Sequence, residues 1–259
     1  MKKSLALIIS LLLSIFFLSP KQVQASAPLT LGILKNDAPY TRNNGNLSFY
    51  REMTQRLQSE LDQKIKIKTY TSAKQLDTAL KNKQIQLALS DRSLFTTSMT
   101  LSSTVLYPRN VLFTLNDSKV KSLENLEHKK VGVVSPGVQT ALLQDIGLKV
   151  TAYPNIMALV KALDDKQIQA AVLDNNRYQY FLATRPQRQK ETSQTDKKLL
   201  ARQFKQIKAP ELTSEQIVFA TYHNKKLADR IEDVISELRE TGQLSSLSQK
   251  YFTQDLSLK

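Results

Sequence analysis

Residues 76–91 read LDTALKNKQIQLALSD, and residues 159–174 read LVKALDDKQIQAAVLD. At an offset of 83, nine of the sixteen positions are identical. Leu76, Ala79 and Leu80 fall on one helical face, as do Leu159, Ala162 and Leu163. A polar turn (KNKQ or DDKQ) follows each helix. A short apolar run, Ile85–Leu89 or Ile168–Leu173, then reads as a buried strand, and an Asp follows. A second echo lies upstream of each copy: LTLGIL at 29–34 and KKVGVV at 129–134 are β-rich runs around a central Gly. Two echoes in one order predict two similar α/β lobes, each with a mostly parallel sheet covered by helices.

The intervening segments fit this plan. Phe49, Met53, Leu57 and Leu61 recur every four residues and predict a helix from about 48 to 61, with Phe49 as core. Ser72 followed by Gln75 reads as the capping box of a helix over 74–81. Further helices are expected over 140–146, 156–163, 178–183 (ending near Pro186), from Leu227 to Leu238, and over 244–252. Lys64, Lys66 and Lys68 alternate with Ile65 and Ile67, as on the solvent face of a strand, and 217–222 reads as another strand. The polar, charged stretch 185–198 reads as a mobile surface loop.

Composition narrows the function. Lys2 and Lys3 precede the apolar run 5–18, and Ala25-Ser26-Ala27 offers small residues for cleavage, so residues 1–27 read as a secretory signal peptide. That run is shorter than the ~20 apolar residues a membrane-spanning helix needs, and no later segment reaches that length. Lys2, Lys3 and Lys21 leave with the signal, so 34 basic and 23 acidic residues remain, a net charge of +11. Such an excess favours solubility or anionic neighbours. The basic residues are scattered, and the protein leaves the cytoplasm, so no nucleic-acid partner is expected. With no Cys there is no disulfide, thiolate metal site, Cys nucleophile or lipid-modified N-terminus. The two histidines, His128 and His223, lack a second ligand at metal spacing, and no Gly-rich phosphate loop or GxSxG elbow occurs. Neither a metal nor a cofactor is expected.

In this order and spacing, several phrases together make the chain resemble the extracellular solute-binding proteins that include the amino-acid receptors of ABC importers (periplasmic-binding-protein-like, type II). They are the opening strand with Ala38-Pro39-Tyr40, KSLENL at 121–126, the strand 130–134 with Gly137 after it, 168–174, and ADRIEDVISELRETGQLSSLSQKYF at 228–252. The resemblance implies an α/β fold of two similar lobes joined by two crossover strands, with the ligand cleft between them. Lobe one would hold 28–111 and 219–259, and lobe two 112–218. It also implies a small-molecule ligand, ABC importer membrane subunits as partners, a monomer, no enzymatic activity, and a periplasmic or released location. The alternatives are a member with a sensor or surface-interaction role, and a secreted dehydratase-like enzyme on the same fold.

The implied ligand site gathers Tyr40, Ser90, Asp91, Arg92, Gly137, Val138, Gln139, Thr140 and Asp174. Asp174 falls where similar proteins pair a carboxylate with the ligand's α-amino group, and Asp91 is its counterpart in the internal repeat. Either Asp would otherwise serve as a helix or turn cap. Residues 135–140 join a strand to a helix N-terminus, where free backbone N–H groups suit an anion. Tyr107 and Arg109, flanking Pro108 near the first crossover, would border the implied cleft. The chain departs from its relatives after the strand ending at Asp91. Ser98 stands where a carboxylate-binding Arg is usual, and Asp91-Arg92-Ser93 where a small residue and a Thr are usual. Either Arg92 substitutes, or the ligand is not a standard α-amino acid.

Overall fold

The structure is a computed structural model that describes residues 27–41, 48–134, 138–191 and 193–259. The expected signal sequence, apart from Ala27, lies outside the described residues. Two five-stranded sheets organise the chain. The first sheet has the spatial order β2 (Ile65–Tyr70), β1 (Leu29–Leu34), β3 (Leu87–Asp91), β10 (Ile217–Tyr222), β4 (Met99–Leu101). The second has the order β7 (Lys149–Tyr153), β6 (Lys130–Val134), β8 (Ala170–Asp174), β5 (Asn110–Leu115), β9 (Phe204–Ile207). In each, three neighbouring strands are parallel and the remaining two pairings are antiparallel. The chain passes between the sheets twice. The two crossings run side by side, bridged antiparallel at Leu106–Ile217 and Arg109–Ser214.

The repeated KQIQ segment does the same work in both lobes. It joins α2 (Ala73–Lys81) to β3, and α4 (Ile156–Asp164) to β8. Lys83 and Lys166 reverse the chain with φ of 56° and 58°. Ile85 and Ile168 are buried. The second Gln of each copy reaches sideways: Gln86 Oε1 accepts from the Thr30 N–H and Gln169 Oε1 from the Lys130 N–H, both at 3.0 Å. Each bond satisfies a backbone N–H at the start of the neighbouring parallel strand, β1 or β6.

Gly32 and Gly132 explain the central glycines. A Cβ on Gly32 would lie 2.4 Å from Ile85 Cδ1 and 2.6 Å from Leu76 Cδ1. On Gly132 it would lie 2.4 Å from Leu159 Cδ1 and 2.5 Å from Ile168 Cδ1. The Leu and Ile side chains therefore pack directly on strand backbone, and an added side chain there would make them shift.

Helices cover both faces of each sheet. In the first lobe, α1 (Phe49–Leu61), α7 (Lys225–Glu240) and α8 (Gln243–Phe252) bury Phe49, Met53, Leu57, Leu238 and Leu244 on one face. On the other face α2 buries Leu76, Ala79 and Leu80. Ser48 caps α1 by accepting from the Arg51 N–H, and Ser72 caps α2 by accepting from the Gln75 N–H. The second lobe repeats the arrangement with α3 (Val138–Asp145) and α4. Among the described residues, no helix is long and apolar enough to cross a membrane.

The stretch 185–198 is not the loop its composition predicts. A helix, α5, runs from Asn175 through Pro186 to Glu191, and another, α6, from Gln194 to Ala201. Their few apolar residues decide the outcome: Phe181, Leu199 and Leu200 bury against Val160, with Leu182 and Phe204 packed alongside. Arg185 lies over the Phe204 ring at 5.7 Å and donates to the Arg202 carbonyl at 2.7 Å. Tertiary packing overrides weak local propensity here.

Candidate functional site at the interlobe cleft

The site is built where the parallel strands of both sheets end, the usual ligand position in open α/β sheets. From the first lobe come Asp37 and Tyr40, just after β1, and Asp91, the last residue of β3. From the second lobe come Asp174, the last residue of β8, and Asn176 and Arg177 in the first turn of α5. The second crossing adds Glu215, whose N–H donates to the Pro108 carbonyl of the first crossing at 2.8 Å.

Tyr40 is fully buried. Its ring packs on Tyr50 at 5.7 Å and on Phe252 at 5.3 Å, so the closing aromatic of the tail buttresses the cleft. Its hydroxyl donates to Asp174 Oδ1 at 3.0 Å and accepts from Asn176 Nδ2 at 3.1 Å. Asp174 is 1% exposed and serves both readings of its position. The same Oδ1 caps α5 by accepting from the Arg177 N–H at 3.0 Å, while the carboxylate also faces the other lobe.

The Arg177 guanidinium lies between the lobes. Its Nε donates to Asp37 Oδ1 at 3.1 Å and its Nη2 donates to the same oxygen, while Nη1 donates to Asp174 Oδ2. It sits 5.0 Å from the centre of the Tyr40 ring. Tyr50 completes the set by donating its hydroxyl to Asp37 Oδ2 at 3.1 Å. Burial opposes the Arg177 charge, but Asp37 and Asp174 outweigh it and hold the guanidinium firmly protonated. Burial, and then the neighbouring carboxylates, push both phenols well above their usual range, so Tyr40 and Tyr50 act as neutral donors.

A second group sits at the base of the crossings. Asp91 Oδ1 accepts from the Ser93 N–H at 2.8 Å and its hydroxyl at 2.5 Å, which is the turn-capping role. As carboxylates, Asp91 Oδ2 and both Glu215 oxygens would find no donor among the described residues. Burial, followed by Asp91's hydrogen bond and charge, pushes the Glu215 carboxyl up to about 10. Glu215 is therefore a neutral acid at pH 7, able to donate to Asp91. The Ser90 hydroxyl, one residue earlier in β3, is buried with no partner among the described residues.

The other expected site residues are placed unevenly. Arg92 is exposed, and its backbone N–H donates to the Gln216 carbonyl at 2.7 Å. Ser98 is exposed and shares a 2.9 Å hydrogen bond with Thr96. Val138, Gln139 and Thr140 form the first turn of α3, whereas Ser135 to Gly137 lie outside the described residues. Sequence reasoning missed Asp37, Tyr50, Asn176, Arg177 and Glu215. The available signals were slight: Asp37 directly precedes Ala38-Pro39-Tyr40, and Arg177 stands three residues after Asp174. Among the described residues, no group of three or more His, Asp or Glu side chains is placed to hold a metal.

Two α/β lobes joined by paired crossings, with polar groups converging from both at the strand ends, define a type II periplasmic-binding-protein architecture. Residues 29–254 match the model of the bacterial extracellular solute-binding proteins, family 3, and the chain belongs to that family. No curated protein matches the chain. Among solved structures it is similar to an arginine 3rd transport system periplasmic binding protein from Legionella pneumophila. That pair is 22% identical with a TM-score of 0.68, covering 88% of this chain and 100% of the other. It is also similar to the substrate binding protein of an amino acid ABC transporter (19% identity, TM-score 0.66, 88% and 100% coverage). A third similar structure is a histidine kinase sensor domain (16% identity, TM-score 0.69, 89% and 98% coverage).

Proposed function

We propose that this chain is a secreted or periplasmic binder that captures a small polar solute, an amino acid or related organic ion, by hinge closure and delivers it to an ABC importer. Family membership and the amino-acid transport systems named among its structural neighbours support this reading. The observation that carries it is the convergence of Asp174 from the second lobe on Tyr40 from the first. The proposed lobes are 28–111 with 219–259, and 112–218, boundaries that fall within about two residues of the sheet changes at Asn110 and Ile217. The proposed contact set is Tyr40, Ser90, Asp91 and Arg92 on one side, with 137–140 and Asp174 on the other. On this reading the protein works as a monomer and without catalysis, in keeping with a family of solute-binding proteins. A ligand's preference for the closed form supplies the signal an importer reads.

Ser98 in place of the usual Arg, with a sensor domain among the structural neighbours, favours a second reading, in which the chain reports a solute and transports none. A thermal-shift screen of amino acids, polyamines and organic acids tests the main reading. It predicts at least one stabilising compound that is recovered intact. No stabilising compound, or one that is consumed, contradicts it.

A further inference from the structure

One side chain of the protein itself bridges the cleft. Asp37 of the first lobe and Asp174 of the second have side chains 6% and 0% exposed, and both bind the one guanidinium of Arg177. Building on the reading of this cleft as the solute site, we propose that Arg177 is a tethered occupant of it. In the absence of solute, Arg177 joins the lobes. A solute enters by displacing it, and must bring its own guanidinium or ammonium group for Asp37 and Asp174.

The site is shaped for a fork. Asp37 takes Nε and Nη2 while Asp174 takes Nη1, so the planar guanidinium is engaged on two sides by acids from different lobes. Tyr40 lies against its face. The hydroxyls of Tyr40 and Tyr50, each on a fully buried ring, hold the two acids in place. Arg177 is the most open member of the ion-pair cluster, with 26% of its side chain exposed against 6% for Asp37 and 0% for Asp174, so it is the member of the cluster that solvent or a solute can reach.

Charge limits what can replace it. Without a cation, two buried carboxylates would be left unpaired, and the loss of one partner from a buried pair is strongly unfavourable. A neutral or anionic solute cannot compensate that loss. A solute carboxylate attracted to Arg177 would have to compete with Asp37 for the same donors. A guanidinium or primary amine restores the pairing without other change.

The test is calorimetric titration of methylguanidinium into wild type and R177A, with small-angle X-ray scattering of both solute-free proteins. R177A is expected to bind methylguanidinium at least tenfold more tightly than wild type. Its radius of gyration is expected to exceed that of wild type until the compound is added. Equal affinities, or a solute-free R177A as compact as wild type, overturn the proposal. Should R177A fail to fold, methylguanidinium must restore its circular dichroism, and failure to do so overturns the proposal as well. R177K, which keeps the charge and loses the fork, is expected to bind the compound with intermediate affinity. A compound found by the thermal screen that binds wild type but loses affinity in R177A would mean that Arg177 recruits the solute, which also contradicts displacement. A screen of wild type without hits would sink the solute reading while leaving the behaviour of R177A to be judged separately.

Discussion

Tyr40 and Asp174 stand 134 positions apart in the chain and are joined across the cleft by a 3.0 Å hydrogen bond. Both are buried, and the phenol also accepts from Asn176. Tyr40→Phe removes one hydroxyl and so takes a donor from Asp174 and an acceptor from Asn176. The expected loss of stability is about 1–3 kcal/mol, read by urea denaturation. A loss indistinguishable from that of an exposed Tyr→Phe control would show that this bond does not join the lobes in solution.

Glu215 predicts an inverted pH effect. Its carboxyl is pushed from the usual carboxylate range up to about 10, so between those values the folded chain holds a proton that the unfolded chain has lost. Stability therefore falls as pH rises through that window. Glu215→Gln keeps the shape and the donor to Asp91 but needs no proton. The variant is expected to be more stable than wild type at pH 8, by roughly a few kcal/mol, and nearly equal to it at pH 4. Thermal melts across pH read the difference, and a gap that stays constant or reverses would refute the shared-proton arrangement.

The internal repeat predicts matched costs at distant sites. Gly32→Ala and Gly132→Ala push a methyl against the same pair of side-chain types, Ile and Leu, at nearly the same distances. Each is expected to destabilise by about 1–3 kcal/mol through overpacking. Gly147→Ala meets nothing within 4 Å and loses only the positive φ of 84°, which costs about 1–2 kcal/mol. Denaturation midpoints in which Gly147→Ala is more harmful than both others would argue against the close strand–helix contact.

Some of this molecule was legible in its sequence because the information was local and repeated. The KQIQ segment carries its turn, its buried Ile and its Gln clasp within four residues, twice, and the paired sheets follow from that. Two helices of the first lobe were readable, α1 from its apolar spacing and α2 from its spacing and the cap at Ser72. The hairpin of α5 and α6 was not, because most of its surface faces water and only Asn176, Tyr178, Phe181, Leu199 and Leu200 are buried among its described residues. The cleft was half legible. Asp174 and Asp91 close matching strands, so position alone marked them. Asp37 and Arg177 meet across 140 residues, and Glu215 meets Asp91 only because the second crossing passes the end of β3. Nothing in the local spacing encodes those encounters.

Asp174→Asn keeps size and most hydrogen bonding while removing the charge at the centre of the cleft. The change leaves Arg177 with one carboxylate and deprives an incoming cation of its second-lobe partner. Urea melts are expected to show a loss of about 1–3 kcal/mol without solute. An unchanged midpoint would mean that the Asp174 charge supports no interlobe contact.

Whether a solute is held between the lobes at Asp174 is read by calorimetric titration of whichever compound stabilises wild type in the screen, repeated with Asp174→Asn. At least a tenfold weaker affinity is expected in the variant, equivalent to about 1.4 kcal/mol. An affinity equal to that of wild type, in a variant that remains folded, would contradict a solute held there.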